Sequence, residues 1–150
     1  MNYSIRKAIR SDSKEIINLI NELAHFEKLT PPGNAASRRL INEAFSRNPR
    51  FRILVAEYEK KIIAYAFYFF SYSTFLAKPT LYLEDIYISK NFRSKGLGKS
   101  FFTELKKIAK KEKCGRIEWV VLDWNKNAIN FYEKLGAKKM KEWIFFRLSL

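Results

Sequence analysis

The alternation of strand-like and helix-like segments along the 150 residues predicts an α/β protein with a single mixed central sheet of about six to seven strands and helices on both faces. Three observations predict it. Short runs rich in β-branched and aromatic residues recur between turn residues. The segments between them carry apolar residues at helical spacing. The 47% hydrophobic and 16% aromatic content suits one core, so residues 1–150 are expected to form a single domain.

Each element has its own signal. "YSIRKAI", residues 3–9, alternates as a strand does. Asp12, with Glu15 three residues on, reads as an N-cap and capping box. The helix after it places Ile16, Leu19, Ile20, Leu23 and Phe26 on one face, until "TPPGN" at 30–34 breaks it. A shorter helix over 36–45 turns Leu40, Ile41, Ala44 and Phe45 inward. "FRILVAEY" at 51–58 is a strand ending at a turn around Glu59 and Lys60. The run over 62–73 is apolar on both faces, as in a central strand. After a loop at 77–79, "LYLEDIYIS" at 81–89 is strand-like again. The helix beyond residue 100 presents Phe101, Phe102, Leu105, Ile108 and Ala109 on one face. "RIEWVVL" at 116–122 reads as a buried strand, "KNAINFYEKLG" at 126–136 as a helix closed by glycine, and "WIFFRLSL" at 143–150 as a final strand.

Composition narrows the function. The longest apolar run, 62–70, is about half of what a spanning helix needs, and "MNYSIRKAIRSD" lacks a signal-peptide core, so a soluble cytoplasmic protein is expected. The single cysteine, Cys114, fits a reducing compartment; His25 is the only histidine, and no Cys/His cluster offers a metal site. The 29 Lys and Arg against 15 Asp and Glu give a net charge of +14, which would attract nucleic acid, anionic lipid or a polyanionic cofactor. Lys106, Lys107, Lys110, Lys111 and Lys113 also read simply as a solvated helix face. Eight Tyr and 13 Phe could stack bases, but they fall in apolar runs and no RNA-recognition motif is present, so nucleic acid binding is the lesser reading.

The junction "NFRSKGLGKS", residues 91–100, is the most informative stretch. A strand, a glycine turn and a helix N-terminus collect unpaired backbone N–H groups at the positive end of a helix dipole. Gly96 and Gly98 are expected to take backbone angles closed to other residues, while Arg93, Lys95 and Lys99 add charge, so a di- or polyphosphate fits. The pattern is neither a nucleotide P-loop nor a dinucleotide fingerprint.

What remains, R-x-x-G-x-G after a strand, resembles the GNAT superfamily of acyl-CoA N-acyltransferases. "VLDWNKNAINFYEKLGA" at 121–137 and "LYLEDIYIS" at 81–89 resemble two further signatures of that superfamily, in the same order. "LINELAHFEKL", "FYFFSYS", "LYLED" and "DWNKNAINFYEKLGA" are most similar to its spermidine/spermine and thialysine (diamine) N-acetyltransferase branch. The chain departs from that branch in lacking acidic residues around 29–32, in carrying Phe75 where a tryptophan is usual, and in its shorter C-terminus, all of which bear on the acceptor.

The resemblance implies a set of roles. Acetyl-CoA would be the co-substrate, with no metal, and its pyrophosphate would lie on Arg93, Ser94, Lys95, Gly96, Leu97, Gly98 and Lys99. The backbone of Ile86 and Ile88 and the side chain of Asn125 would hold its arm, with Ile86 N–H facing the developing oxyanion. An alkylammonium group with a pKa near 10.4 must lose a proton before it attacks, and the resemblance gives that task to Glu84 through a water. Asp85 and Glu27 would bind the cationic acceptor, and Tyr132 would return a proton to the departing thiolate. Glu84 and Asp85 also read as ordinary salt-bridge partners, Glu27 as an exposed helix charge, Asn125 as a plain cap and Tyr132 as a packing partner of Phe131. The implied acceptors are polyamines, diamines or thialysine-like amino acids, the alternative being a protein or peptide amine, and a homodimer is expected.

Overall fold

The computed structural model describes residues 1–150, in two compact units, Met1–Trp119 and Val120–Leu150. The first unit holds one sheet in the order β1 (Ser4–Lys7), β2 (Arg52–Tyr58), β3 (Lys61–Ser73), β4 (Lys78–Ile88) and β5 (Arg116–Glu118). The first four strands run antiparallel to their neighbours, and β5 joins β4 in parallel, so the sheet is mixed.

The sheet has five strands, not the six to seven expected. The segment read as a strand over 116–122 pairs only from Arg116 to Glu118, and residues 143–150 form no strand. Apolar, β-prone sequence becomes a strand only where another strand offers a ladder, and none in this chain pairs with "WIFFRLSL".

Helix α1 (Ser13–Glu27) packs against β3 and β4. Its Ile16 and Leu19 join Ile53, Val55, Ile62, Tyr65, Phe67 and Tyr87 in one buried cluster, with Ile20 and Leu23 at its margin. Leu40 and Ala44 of α2 (Asn34–Ala44) pack against the same cluster. Helix α3 (Leu97–Lys111) contacts β1, β4 and β5 and buries Leu97, Phe101, Phe102, Leu105 and Ala109. The intervening strand positions, Leu54, Ala56, Ala64, Ala66 and Leu83, are buried as well, as a strand covered on both faces requires. The five lysines singled out on and just after α3 are exposed, and Lys107 pairs with Glu104 at 2.7 Å.

Asp12 does not cap α1 with its side chain. Its carboxylate faces Arg6 instead, taking two hydrogen bonds at 2.8 and 2.9 Å and a third from the Ile9 N–H at 2.8 Å. Arg6 also donates to Glu57 at 2.8 Å, so one guanidinium ties β1, β2 and the start of α1 together. The guanidinium gives the carboxylate two charge-assisted bonds in one planar fork, more than a single cap bond would. Glu15, the other half of the expected box, accepts from the Ile62 N–H at 3.2 Å.

Arg6 holds the Asp12 carboxyl below its ordinary range. A depressed folded pKa contributes stability that is present above the unfolded value and lost as pH falls through the folded one. Asp12→Asn should therefore cost about 2 kcal/mol at pH 7, a fall in Tm of roughly 4–8 °C, with the difference from the parent shrinking below pH 4. Thermal melts at pH 7 and pH 3.5 check this; a pH-independent gap would count against the ion pair.

Candidate active site

The glycine turn lies between β4 and α3. A 3-10 turn over Lys90–Phe92 leads out of the strand, Ser94 takes a left-handed φ of 59°, and Gly96 follows at 84° as the residue before α3. Open space surrounds the position a Gly96 Cβ would take, so glycine is needed there for its backbone angle. Gly98 departs from the expectation: it lies within the first turn of α3 with ordinary helical geometry, and Ser94 supplies the second left-handed residue instead. No side chain caps α3. The first-turn N–H groups of Leu97, Gly98 and Lys99 have no intrahelical acceptor, which leaves a concavity of donors suited to an anion. The Gly96 carbonyl accepts from Ser100, which starts the helical ladder.

The basic side chains do not all point into that concavity. Lys95 donates to the Asn91 carbonyl at 3.0 Å and lies over the Phe92 ring. Arg93 turns inward: its Nε donates to the Ile88 carbonyl at 2.9 Å, and its guanidinium lies over Phe26, at 5.0 Å, and Tyr87, at 5.3 Å. Arg93 thus joins the turn to the end of α1 through two cation–π contacts. Lys99 is exposed.

β4 is irregular where the acidic pair falls. Asp85 pairs with Phe67, but the next β3 residue, Tyr68, pairs with Leu83, so Glu84 is an extra residue bulged out of the ladder. Glu84 is exposed and Asp85 half-buried, on the face shared with Tyr87 and covered by α1. On the other side of β4, the ladder to β5 covers only Thr80, Leu81 and Tyr82. Beyond Tyr82 that side carries no strand, up to the glycine turn, and Ile86 and Ile88 lie along this stretch.

Burial, then the negative charges of Glu84 and Glu27, push the Asp85 carboxyl up to about 6. Burial also raises Glu27. Asp85 thus feels the charges of both other sequence-selected carboxylates, and Glu84 is the exposed one of the adjacent pair. Sequence reasoning missed Tyr87, whose hydroxyl donates to Glu22 at 3.2 Å, and Tyr65, buried beside it on β3. Both are tyrosines inside apolar runs, and a hydroxyl in a central strand was the available signal.

Tyr132 and Asn125 belong to the second unit, with α4 (Lys126–Lys134). The Asn125 Oδ1 accepts from the Ala128 N–H at 3.2 Å, so this residue does cap α4. Tyr132 lies 5.5 Å from Phe131, ring to ring, and Gly136 closes the helix with a φ of 86°.

A model of the Acetyltransferase (GNAT) family matches residues 15–137. The chain belongs to this family and is an acyltransferase enzyme. It is 36% identical over 156 residues to the thialysine N-epsilon-acetyltransferase of Mus musculus, covering 97% of this chain and 91% of that one. It is 31% identical over 157 residues to the spermidine/spermine N(1)-acetyltransferase-like protein 1 of Homo sapiens, covering 98% of this chain and 22% of that one. The crystal structure of a possible acetyltransferase from Clostridium difficile 630 superimposes with a TM-score of 0.85 at 20% identity, over 100% of this chain and 99% of that chain, a likeness of fold. The family uses acetyl-CoA as co-substrate. No group of three or more His, Cys, Asp or Glu is placed to hold a metal ion, and no helix is long and apolar enough to cross a membrane.

The raised Asp85 sets a pH signature. Between about pH 4 and 6 the folded state holds a proton that the unfolded chain has released, so stability declines as pH rises through that window and stays reduced above it. Asp85→Asn should raise Tm at pH 7.5, with the gain fading toward pH 4. Differential scanning calorimetry at three pH values tests this; a constant difference would refute the burial argument.

Proposed function

We propose that the protein transfers an acetyl group from acetyl-CoA directly to a primary amine of a small cationic acceptor: a polyamine, a diamine or a thialysine-like amino acid. The observation that carries this reading is the half-buried Asp85, grouped with Glu27 and Glu84 beside an open stretch of β4 and an uncapped anion-binding turn. Acetyl-CoA supplies the activated acyl group. The N–H groups of Leu97, Gly98 and Lys99, with the turn from Arg93 to Gly96, fit its pyrophosphate. The open edge at Ile86 and Ile88 fits its extended arm, and the Ile86 N–H would stabilise negative charge on the carbonyl oxygen. The NH2 of Asn125, which takes no part in the cap, would bond the same arm.

The acidic group answers the amine's chemistry. The acceptor's positive charge is attracted to Asp85 and Glu27, and the amine that reacts must lose its proton before attack. Glu84, exposed at the bulge, would take that proton through a water. Tyr132 would return a proton to the thiolate, whose pKa near 8.5 lies close enough to a phenol's for transfer to be near balance. In this reading both units act as one N-acetyltransferase domain.

We also propose a cytoplasmic homodimer. Support comes from residues 143–150, where Trp143, Ile144, Phe146 and Leu148 are each at least 75% exposed, more apolar surface than a solvated tail needs. Light scattering at tens of micromolar should give the dimer mass; a monomer mass would reject the dimer.

The deciding experiment is an acetyl-CoA turnover assay over a panel of small amines, with a peptide N-terminus as comparison, following free thiol. Small dications should be the best acceptors, and preference for the peptide would favour protein acetylation instead. Acetyl-CoA at a hundred times its Kd should stabilise the chain by about 2.7 kcal/mol, and reversing charge at Arg93 should remove most of that. Tyr132→Phe should leave cofactor affinity intact and cut turnover by about 10²- to 10⁴-fold. Retained turnover would make Tyr132 a packing residue.

A further inference from the structure

Tyr65 lies near the middle of β3, with 0% of its surface exposed, and its hydroxyl has no hydrogen-bond partner. A buried hydroxyl left unpaired costs free energy that phenylalanine, packing equally well, would avoid. The ring is well held, edge-on to Phe67 at 5.1 Å and tilted against Tyr87 at 6.4 Å. Tyr87, directly opposite, does not relieve it: its own hydroxyl is turned to Glu22.

The register shows where the orphan hydroxyl lies. Tyr65 is directly opposite Tyr87, and Asp85 is two residues along β4 on the same face, a diagonal position within reach of an aromatic side chain. Burial, then the charges of Asp85 and Glu27, hold the phenol firmly in its neutral form. Asp85 is placed beside the hydroxyl by the register, and Glu27 lies at the end of the helix that packs on β3 and β4. The other orphan, Thr80, lies beside Ser71 and Arg116 at the far end of β4.

We infer that Tyr65 determines acceptor specificity: its hydroxyl oxygen accepts an N–H from a primary ammonium group neutralised by Asp85 and Glu27, while its hydrogen turns to one of those carboxylates. A primary ammonium carries three N–H donors, and Tyr65, Asp85 and Glu27 are three acceptors. The group bound here is the acceptor's second amine, not the one that reacts. The reacting amine must lose its charge, whereas two carboxylates keep an ammonium charged. The inference deepens the small-cation reading above and rests on it. It adds that the distal group must carry N–H donors as well as charge.

The test compares the parent with Tyr65→Phe, using 1,5-diaminopentane and (5-aminopentyl)trimethylammonium, which keeps the distal charge without its N–H groups. Calorimetric titration without acetyl-CoA should show Tyr65→Phe losing about tenfold or more in affinity for the diamine and little for the trimethyl compound. Without ligand the variant should melt at or above the parent, because an unpaired polar group is gone. In turnover the loss should fall on KM for the diamine and spare kcat. An unchanged diamine affinity, an equal loss for both compounds, or no diamine binding by the parent would each overturn the inference. Diamine binding that depends on Tyr65 without turnover would sink the acetyltransferase reading and leave Tyr65 in its role. Turnover with an unchanged KM in the variant would do the reverse.

Discussion

The arrangement of the site depends on one register shift. At Glu84 the β3–β4 ladder gains a residue, so Asp85 falls opposite Phe67 under α1 while Glu84 stays at the exposed rim. Without the bulge, the face assignment of every β4 residue on one side of it would invert. The short β5 ladder adds a second condition, because pairing that ends at Tyr82 leaves the β4 edge without a strand partner along Ile86 and Ile88. Together these place carboxylates on one side of the strand residues and open backbone beside them, close to where the glycine turn begins.

Two kinds of order coexist around that strand. The cluster of Ile16, Leu19, Ile53, Val55 and Phe67 is held by burial alone and would accept many apolar substitutes. At its edge, Tyr65, Tyr87, Asp85, Glu22 and Glu27 bring polar atoms into the same layer under α1. The protein's net charge of +14 makes this acidic group a local exception, and partial burial limits its screening by salt. Arg93, lying over Phe26 and Tyr87, sets a fixed positive charge near it and joins the glycine turn to the end of α1 and to β4.

Most of the framework was legible because it rests on local signals. The apolar stripe of α1, the both-faces-apolar β3, the glycine before α3 and the glycine after α4 each have a cause within a few residues. The acidic trio was legible through resemblance, since nothing in the spacing of Glu27, Glu84 and Asp85 shows that they meet. The failures have a common cause in partner dependence. "WIFFRLSL" has strand composition but no ladder within the chain, and the run over 116–122 has partners for three residues only. Asp12 had the spacing of a cap and found a stronger partner in Arg6. Tyr65 was hidden in an apolar run, because a sequence does not show whether a hydroxyl in the core has been answered.

The β2–β3 hairpin turns on Glu59 and Lys60, both left-handed at φ of 49° and 63°, where Asn-Gly would sit without strain. Each such residue costs on the order of 1 kcal/mol, so the hairpin closes with little help from its own turn. What secures it is remote in sequence: Glu15 of α1 accepts from the Ile62 N–H, and Ile62 packs into the α1 cluster. Helix and hairpin therefore depend on each other to form. The hairpin is thus held by its tertiary contact with α1 more than by its own turn.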